Sequence, residues 1–216
     1  MNKLLGFYEL KDSVLPTIPW KEFNKEVKLD SNILWTVRSA VYRGEDLNLP
    51  RAVGVNALDA YMFASELYAS MKNRGIVVYY PYFLAEKSGN INIFMNKIVI
   101  EAVKDDLWNL VTYSDRDVTI EVTENDIVYN GDEKFFSEDE LDELILNARK
   151  AKQMFREDLL EGKSAMLEWS FAYPSNLKKE RDGEKYLVFY EARTVWCDLT
   201  NFFSKRISVR GYVLLT

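Results

Sequence analysis

The sequence contains no histidine among its 216 residues. Histidine is the side chain that changes charge nearest to neutral pH, and it is the commonest metal ligand. Its absence excludes a phosphohistidine carrier, a Ser-His-Asp or Cys-His catalytic site, and a zinc site built on imidazole. Any acid, base or metal ligand must therefore come from Asp, Glu, Lys, Tyr or Cys.

Cysteine, glycine and proline are also scarce. The single cysteine, Cys197, allows neither an internal disulfide nor a thiolate metal cluster. This is typical of a reducing compartment, so we expect a cytoplasmic protein. Nine glycines and five prolines leave no long linker. No secretory signal is visible at the N-terminus, and no apolar run approaches the roughly 18 residues that span a bilayer. We therefore expect no membrane partner.

The overall charge and composition favour a globular protein. The formal net charge is −6 and the pI is about 5.0, which argues against nucleic-acid binding because such binding needs a dominant basic surface. Hydrophobic residues make up 48% of the chain, enough for a substantial core. The length predicts a single domain of two lobes over residues 1–216.

Two long helices are predicted from capping signals and helical spacing. Asn56 can cap a helix over residues 57–73, and Gly75 would end it. Ser137 and Glu140 form a capping box for a second helix. Its apolar residues follow one face as far as Leu159, and Gly162 would close it.

The remaining apolar runs predict strands, and short turn signals separate them. The strands are expected over residues 33–37, 76–85, 91–94, 98–103, 118–122, 127–129, 165–171, 186–190 and 207–215. Pro81 would place a break in its run. Turns are expected at Ser88-Gly89-Asn90, Asn130-Gly131 and Asp182-Gly183. The pattern is that of an α+β fold with largely antiparallel sheets. The phosphate-binding loops of Rossmann and P-loop proteins are absent from the sequence.

Four stretches of the chain resemble one known family in their order. They are Val37-Arg38-Ser39 with Glu45-Asp46-Leu47; residues 80–84 (YPYFL) with Ser88-Gly89; residues 98–102 (IVIEA); and Leu167-Glu168-Trp169 with residues 186–188 (YLV) and Glu191-Ala192-Arg193. Together, over residues 33–194, they resemble the nucleotide-binding domain of the phosphoenolpyruvate synthase and pyruvate phosphate dikinase family. The resemblance implies an ATP-grasp-like fold.

The resemblance also implies a Mg-ATP site and roles for individual residues. Arg38 would clamp phosphate, and Arg193 would contact the terminal phosphates. Glu168 would be a Mg²⁺ ligand, since hard cations take carboxylate oxygens. Glu191 stands where the family usually has glutamine, and it could also ligate the cation. Glu101, in the third stretch, is a further candidate for the nucleotide site.

The chain departs from the family in three places. The family's glycine-rich segment with a phosphate-binding lysine is missing, and Lys11 is the nearest candidate. Met166 replaces an acidic residue, and residues 103–108 (VKDDLW) contain no glycine where the family has a glycine-rich turn. The chain is expected to be an ATP/Mg-binding protein that works with a separate histidine-bearing phosphotransfer subunit. The alternative is a non-catalytic relative that acts as an interaction or regulatory module; an enzyme that uses the same carboxylates on another substrate is a third possibility.

Each candidate residue also has a purely structural interpretation. Arg38 could pair with Glu45 or Asp46, and Glu168 could be an exposed residue of a half-buried strand. Glu191 and Arg193 could pair with each other, and Glu101 could lie at a strand end. Tyr79, Tyr80, Tyr82 and Phe83 could stack on a base or belong to the core.

Overall fold

The computed structural model describes residues 1, 3–44, 49–107, 110 and 116–197. Glu45, Asp46 and the predicted strand over residues 207–215 lie outside the described residues. The fold is α+β, and its strands form antiparallel sheets, as the sequence predicted.

Four helices and ten strands make up the described chain. The helices are α1 (Lys3–Lys11), α2 (Ala57–Met71), α3 (Glu138–Met154) and α4 (Arg156–Leu160). The strands are β1 (Lys21–Glu22), β2 (Trp35–Val41), β3 (Arg51–Val55), β4 (Gly75–Pro81), β5 (Phe83–Ile93), β6 (Ile98–Lys104), β7 (Val118–Val122), β8 (Ile127–Gly131), β9 (Lys163–Pro174) and β10 (Tyr186–Trp196).

The strands form two sheets. One sheet has four strands in the order β1-β4-β2-β3, and the other has six in the order β10-β9-β5-β6-β7-β8. Every pairing of neighbouring strands within these sheets is antiparallel. Strands that are far apart in sequence thus become neighbours, as when β9 inserts between β5 and β10.

The four-stranded sheet has α2 on one face and the six-stranded sheet on the other. On β2, Val37 packs with Ala60 and Ala64 of α2. Ala40, on the opposite face of β2, belongs to a different cluster that includes Val188 and Tyr190 of β10. Because successive side chains of a strand point to opposite faces, the second cluster lies between the two sheets.

The six-stranded sheet is apolar on its far face, where α3 covers it. Ile91, Ile100 and Leu167 from three adjacent strands form one core cluster with Leu144 and Ala148 of α3. On each strand, the residues that alternate with these apolar ones point to the opposite face of the sheet, toward the four-stranded sheet. That opposite face carries the polar residues of the candidate site.

The predicted N-terminal caps of α2 and α3 are confirmed. Asn56 accepts a hydrogen bond from the backbone N–H of Asp59 at 2.9 Å. Ser137 and Glu140 make both reciprocal bonds of a capping box. The first helix ends at Met71, two residues before its predicted end, whereas Gly162 follows the last helical turn as predicted, with a φ of +88°. The second helix is interrupted at Phe155, whose φ of −97° and ψ of 19° leave the helical region while its buried ring packs in the core.

Two predicted turns are wrong, and both contain glycine. Residues 88–90 lie inside β5, where Gly89 makes room for the ring of Trp169 and for the β6 backbone. Asn130 and Gly131 pair with β7 as the end of β8, and the hairpin turn lies instead at residues 123–126. Glycine here permits close packing or a positive φ within a strand rather than a reversal of the chain.

The sequence interpretation missed α1, β1 and β3, and it placed Arg38 wrongly. Arg38 lies in the middle of β2, not after it. Helix α1 falls in the stretch to which no element was assigned, although Leu4, Phe7 and Leu10 recur at helical spacing and are buried.

Candidate functional site

Three cationic side chains converge on the carboxylate of Glu191, which is 2% exposed. Lys3 Nζ lies 2.8 Å and Arg38 Nη2 3.2 Å from Glu191 Oε2. Arg193 donates from Nη2 at 2.7 Å and from Nε at 2.9 Å to Glu191 Oε1. Both carboxylate oxygens are thus engaged by charged donors. Lys3, Arg38, Arg193, Glu191 and the neighbouring Glu168 are called the cationic cluster below.

The cluster combines elements from three parts of the chain. Arg38 comes from the inward face of β2, and Glu191 and Arg193 share a face of β10. Lys3 is the first residue of α1, which packs against the β10 backbone. Gly6 makes that approach possible, because a Cβ at this position would collide with the carbonyl of Ala192. Tyr80 of β4, itself buried, acts to raise the pKa of the Arg38 guanidinium.

A row of polar residues continues from the cluster across the six-stranded sheet. Glu191 of β10 stands opposite Glu168 of β9, and Glu168 stands opposite Asn90 of β5. Asn90 in turn stands opposite Glu101 of β6. Directly opposite residues of paired strands share a face, so all four side chains point to the face that looks toward the four-stranded sheet. The side-chain oxygen of Asn90 is buried without a hydrogen-bond partner.

The two adjacent carboxyl groups of the cluster have opposite pKa shifts. Burial, together with the charge of Glu191, raises the pKa of Glu168 to about 7. The pKa of Glu191 is lowered even though burial acts to raise it, because Lys3 and Arg38 stabilise its charged form. Neighbouring groups driven apart in this way are typical of functional sites, although structural ion-pair networks produce the same effect.

The pKa values of the cations reflect the same competition. Burial and the charge of Arg38 lower the pKa of Lys3, against the opposing effect of Glu191. Burial also acts to lower the pKa of Arg38, but its interactions with Tyr80 and with the two glutamates raise it on balance. The cluster therefore places several positive charges close together, and the ionised carboxylate of Glu191 stabilises them.

Four of the five predicted site residues come together. Arg38, Glu168, Glu191 and Arg193 belong to one cluster, and Arg193 does pair with Glu191 as the structural interpretation expected. Glu101 lies further along the row, in the middle of β6 rather than at its end, and Arg116 Nε contacts it at 2.8 Å.

The sequence did not single out Lys3 or Asn90, and Lys11, the candidate phosphate-binding lysine, lies outside the cluster. Lys11 Nζ sits 4.5 Å from the ring centre of Trp20, away from the cluster. The helical spacing of Leu4, Phe7 and Leu10 would have revealed α1, but nothing local to the sequence pairs Lys3 with a residue 188 positions later. Asn90 was hidden by its assignment to a turn.

The aromatic residues proposed for base stacking belong mainly to the core. Tyr79 and Tyr80 are buried, and Tyr79 packs on Trp35 with ring centres 5.6 Å apart. Phe83 packs on Tyr190 at 5.9 Å. Tyr82 is partly buried beside Gly54. Core packing therefore accounts for Tyr79 and Tyr80.

The carboxyl groups of the cluster limit how a magnesium ion could be held. Within the described ranges, no group of three or more His, Cys, Asp or Glu residues could hold a metal. Mg²⁺ is commonly bound through one or two carboxylates plus substrate phosphates, and Glu168 and Glu191 are the two carboxyl groups of the cluster. Since Glu191 is engaged by three cations, Glu168 is the carboxyl group that remains for a metal.

No helix in the described part of the chain is long and apolar enough to cross a membrane.

A comparison of the chain with models of known protein families finds no match, and a comparison with curated proteins finds none either. The resemblance to the phosphoenolpyruvate synthase and pyruvate phosphate dikinase family therefore remains a prediction from the sequence.

Proposed function

We propose that the protein binds Mg-ATP, with the cationic cluster as the site for the terminal phosphates. The observation that carries the proposal is the convergence of Lys3, Arg38 and Arg193 on one buried carboxylate. Phosphate is bound in proteins by guanidinium and ammonium groups that donate charged hydrogen bonds.

The charge balance of the cluster favours an anionic ligand. Three cations face Glu191, which is ionised, and Glu168, which is only partly ionised at neutral pH because its pKa is about 7. Positive charge is therefore in excess, and burial strengthens its interaction with an incoming anion. Excess positive charge at a partly buried position is costly unless an anion binds there.

The carboxyl groups beside the cations suit the metal that accompanies ATP. Glu168 would hold Mg²⁺ together with phosphate oxygens, and the ion would neutralise phosphate charge during transfer. A chain with no histidine cannot carry a phosphohistidine itself. On this proposal, phosphate would pass to a separate subunit that supplies the histidine.

The proposal is tested by thermal melting with and without a non-hydrolysable ATP analogue and Mg²⁺. A ligand that binds only the native state raises the melting temperature. The rise should be present in the wild type, strongly reduced in Arg38→Met, and retained in the control Arg181→Met, which removes an exposed arginine paired with Glu86 at 3.0 Å. An equal rise in a folded Arg38→Met protein would refute this use of the cluster.

A second candidate function is that of a non-catalytic interaction or regulatory module. It is favoured by the complete engagement of the Glu191 carboxylate within the protein and by Met166 in place of an acidic residue. No change in melting temperature with millimolar Mg-ATP analogue would support this candidate over the first.

A further inference from the structure

We infer that the carboxylate of Glu191 occupies, in the free protein, the place of the ligand's oxyanion, so that an anion binds the cluster by displacing it. The inference rests on the proposed function and adds its regulation: the chain carries an internal competitor of its own ligand.

The contacts of Glu191 are those that an oxyanion would receive. Its two oxygens are approached by donors from three separate elements, α1, β2 and β10, at 2.7 to 3.2 Å. The donors are one ammonium and two guanidinium groups, and guanidinium groups match both carboxylate and phosphate. A phosphate placed between the same donors would take over the same charged hydrogen bonds.

Without these cations, the surroundings of Glu191 would disfavour an ionised carboxylate. It is almost fully buried, and Glu168 stands directly opposite it on β9. Burial and the neighbouring carboxyl group both disfavour its charged form, and Lys3, Arg38 and Arg193 compensate for them. Competition for the same three donors is therefore the direct way for an anion to bind.

Glu140 provides a contrast within the same molecule. It is also a buried carboxylate between two cations, with Lys87 Nζ at 2.6 Å and Lys185 Nζ at 2.8 Å. Glu140, however, accepts the backbone N–H of Ser137 at 2.9 Å and completes the capping box of α3. Its role is to fix a helix end, so replacing it should not create an anion site.

The test measures anion binding after the competitor is neutralised. Glu191→Gln keeps the side-chain shape and removes the negative charge, and the matched control is Glu140→Gln. Calorimetric titrations at constant ionic strength use inorganic phosphate alone and the non-hydrolysable ATP analogue with Mg²⁺. We expect Glu191→Gln to bind both about tenfold more tightly than the wild type or more, as expected when a buried competing charge is lost, and Glu140→Gln to show no gain.

The outcomes separate this inference from the proposed function. If the wild type binds the ATP analogue and Glu191→Gln binds no more tightly, the inference fails while the proposed function stands. If Glu191→Gln gains phosphate binding but the wild type binds no nucleotide, the inference holds and the proposed function fails. Equal gains in both variants would overturn the inference as a general charge effect, and no anion binding in any protein would overturn both.

A second variant covers the case in which Glu191→Gln does not fold. Loss of the carboxylate leaves three cations together, so the double variant Lys3→Met/Glu191→Gln removes one of them and keeps Arg38 and Arg193. Its melting temperature should rise with phosphate more than that of Lys3→Met alone. No difference between these two proteins would contradict the inference.

Discussion

Glu168 and Glu191 stand side by side on neighbouring strands, yet burial and charge act on them with opposite results. Resemblance to a known family picked out both residues with Arg38 and Arg193, so most of the cluster could be predicted. The pairing of Lys3 with Glu191 could not, because it depends on how α1 packs on β10 through Gly6. Contacts of such sequence separation follow from packing, which no local pattern encodes.

Replacement of Glu168 by glutamine should change the pH dependence of stability. The pKa of Glu168 rises from 4.5 to about 7 on folding. An acid with a raised folded pKa contributes stability below its unfolded pKa and loses that contribution as the pH rises through the folded value. Glu168→Gln should therefore reduce the loss of stability between pH 4.5 and 7. The check is urea unfolding of both proteins across this pH range. If the free energy of unfolding depends on pH in the variant as it does in the wild type, the raised pKa does not belong to Glu168.

Replacement of Glu140 by glutamine should act in the opposite direction. Despite burial, hydrogen bonds from Lys185 and Lys87 lower the pKa of Glu140 to about 2. Its contribution is present above its unfolded pKa of 4.5 and is lost as the pH falls toward 2. Glu140→Gln should lower the free energy of unfolding at pH 7 by on the order of 2 kcal/mol, allowing for solvent screening. The deficit should shrink in unfolding experiments below pH 4; a constant deficit would refute the ionic origin.

At the scale of elements, the predictable features are those with a local physical signature. Asn56 and the Ser137–Glu140 capping box mark helix starts because the caps bond within a few residues. The helix break at Phe155 and the straight course of β5 through Gly89 depend on tertiary packing. Glycine signals were misread for that reason: Gly89 gives space to Trp169 inside a sheet.

The capping box can be tested with Ser137→Ala. The variant loses the side-chain bond to the Glu140 N–H and should lose about 1 kcal/mol of unfolding free energy. Ser70→Ala is the control, because its hydroxyl bonds Leu67 O at the end of α2 without capping a helix N-terminus. Chemical denaturation of the two variants should show the larger loss for Ser137→Ala, and equal losses would contradict the role of the cap.

Gly89→Ala distinguishes a strand from a turn at residues 88–90. A Cβ at this position would meet the Glu101 carbonyl and the ring of Trp169, so the variant should lose about 1 to 3 kcal/mol through overpacking. Near-ultraviolet circular dichroism should also report the displaced tryptophan. Unchanged stability and an unchanged spectrum would indicate an open turn instead.

At the scale of the whole molecule, two antiparallel sheets enclose one apolar cluster, with a helix on each outer face. The cationic cluster lies where the sheets meet: Arg38 comes from the four-stranded sheet, and Glu191 and Arg193 from the six-stranded one. The α+β class followed from the order of strands and helices. The way in which the two sheets pack on each other, and hence the position of the site, could not be predicted. It depends on which face of β2 packs toward β10.

Calorimetric titration of the wild type with the non-hydrolysable analogue and Mg²⁺ decides whether the cationic cluster binds the phosphates of Mg-ATP. We expect saturable binding in the micromolar range that weakens strongly in Arg38→Met and persists in Arg181→Met. No heat of binding up to millimolar analogue in the folded wild-type protein would contradict it.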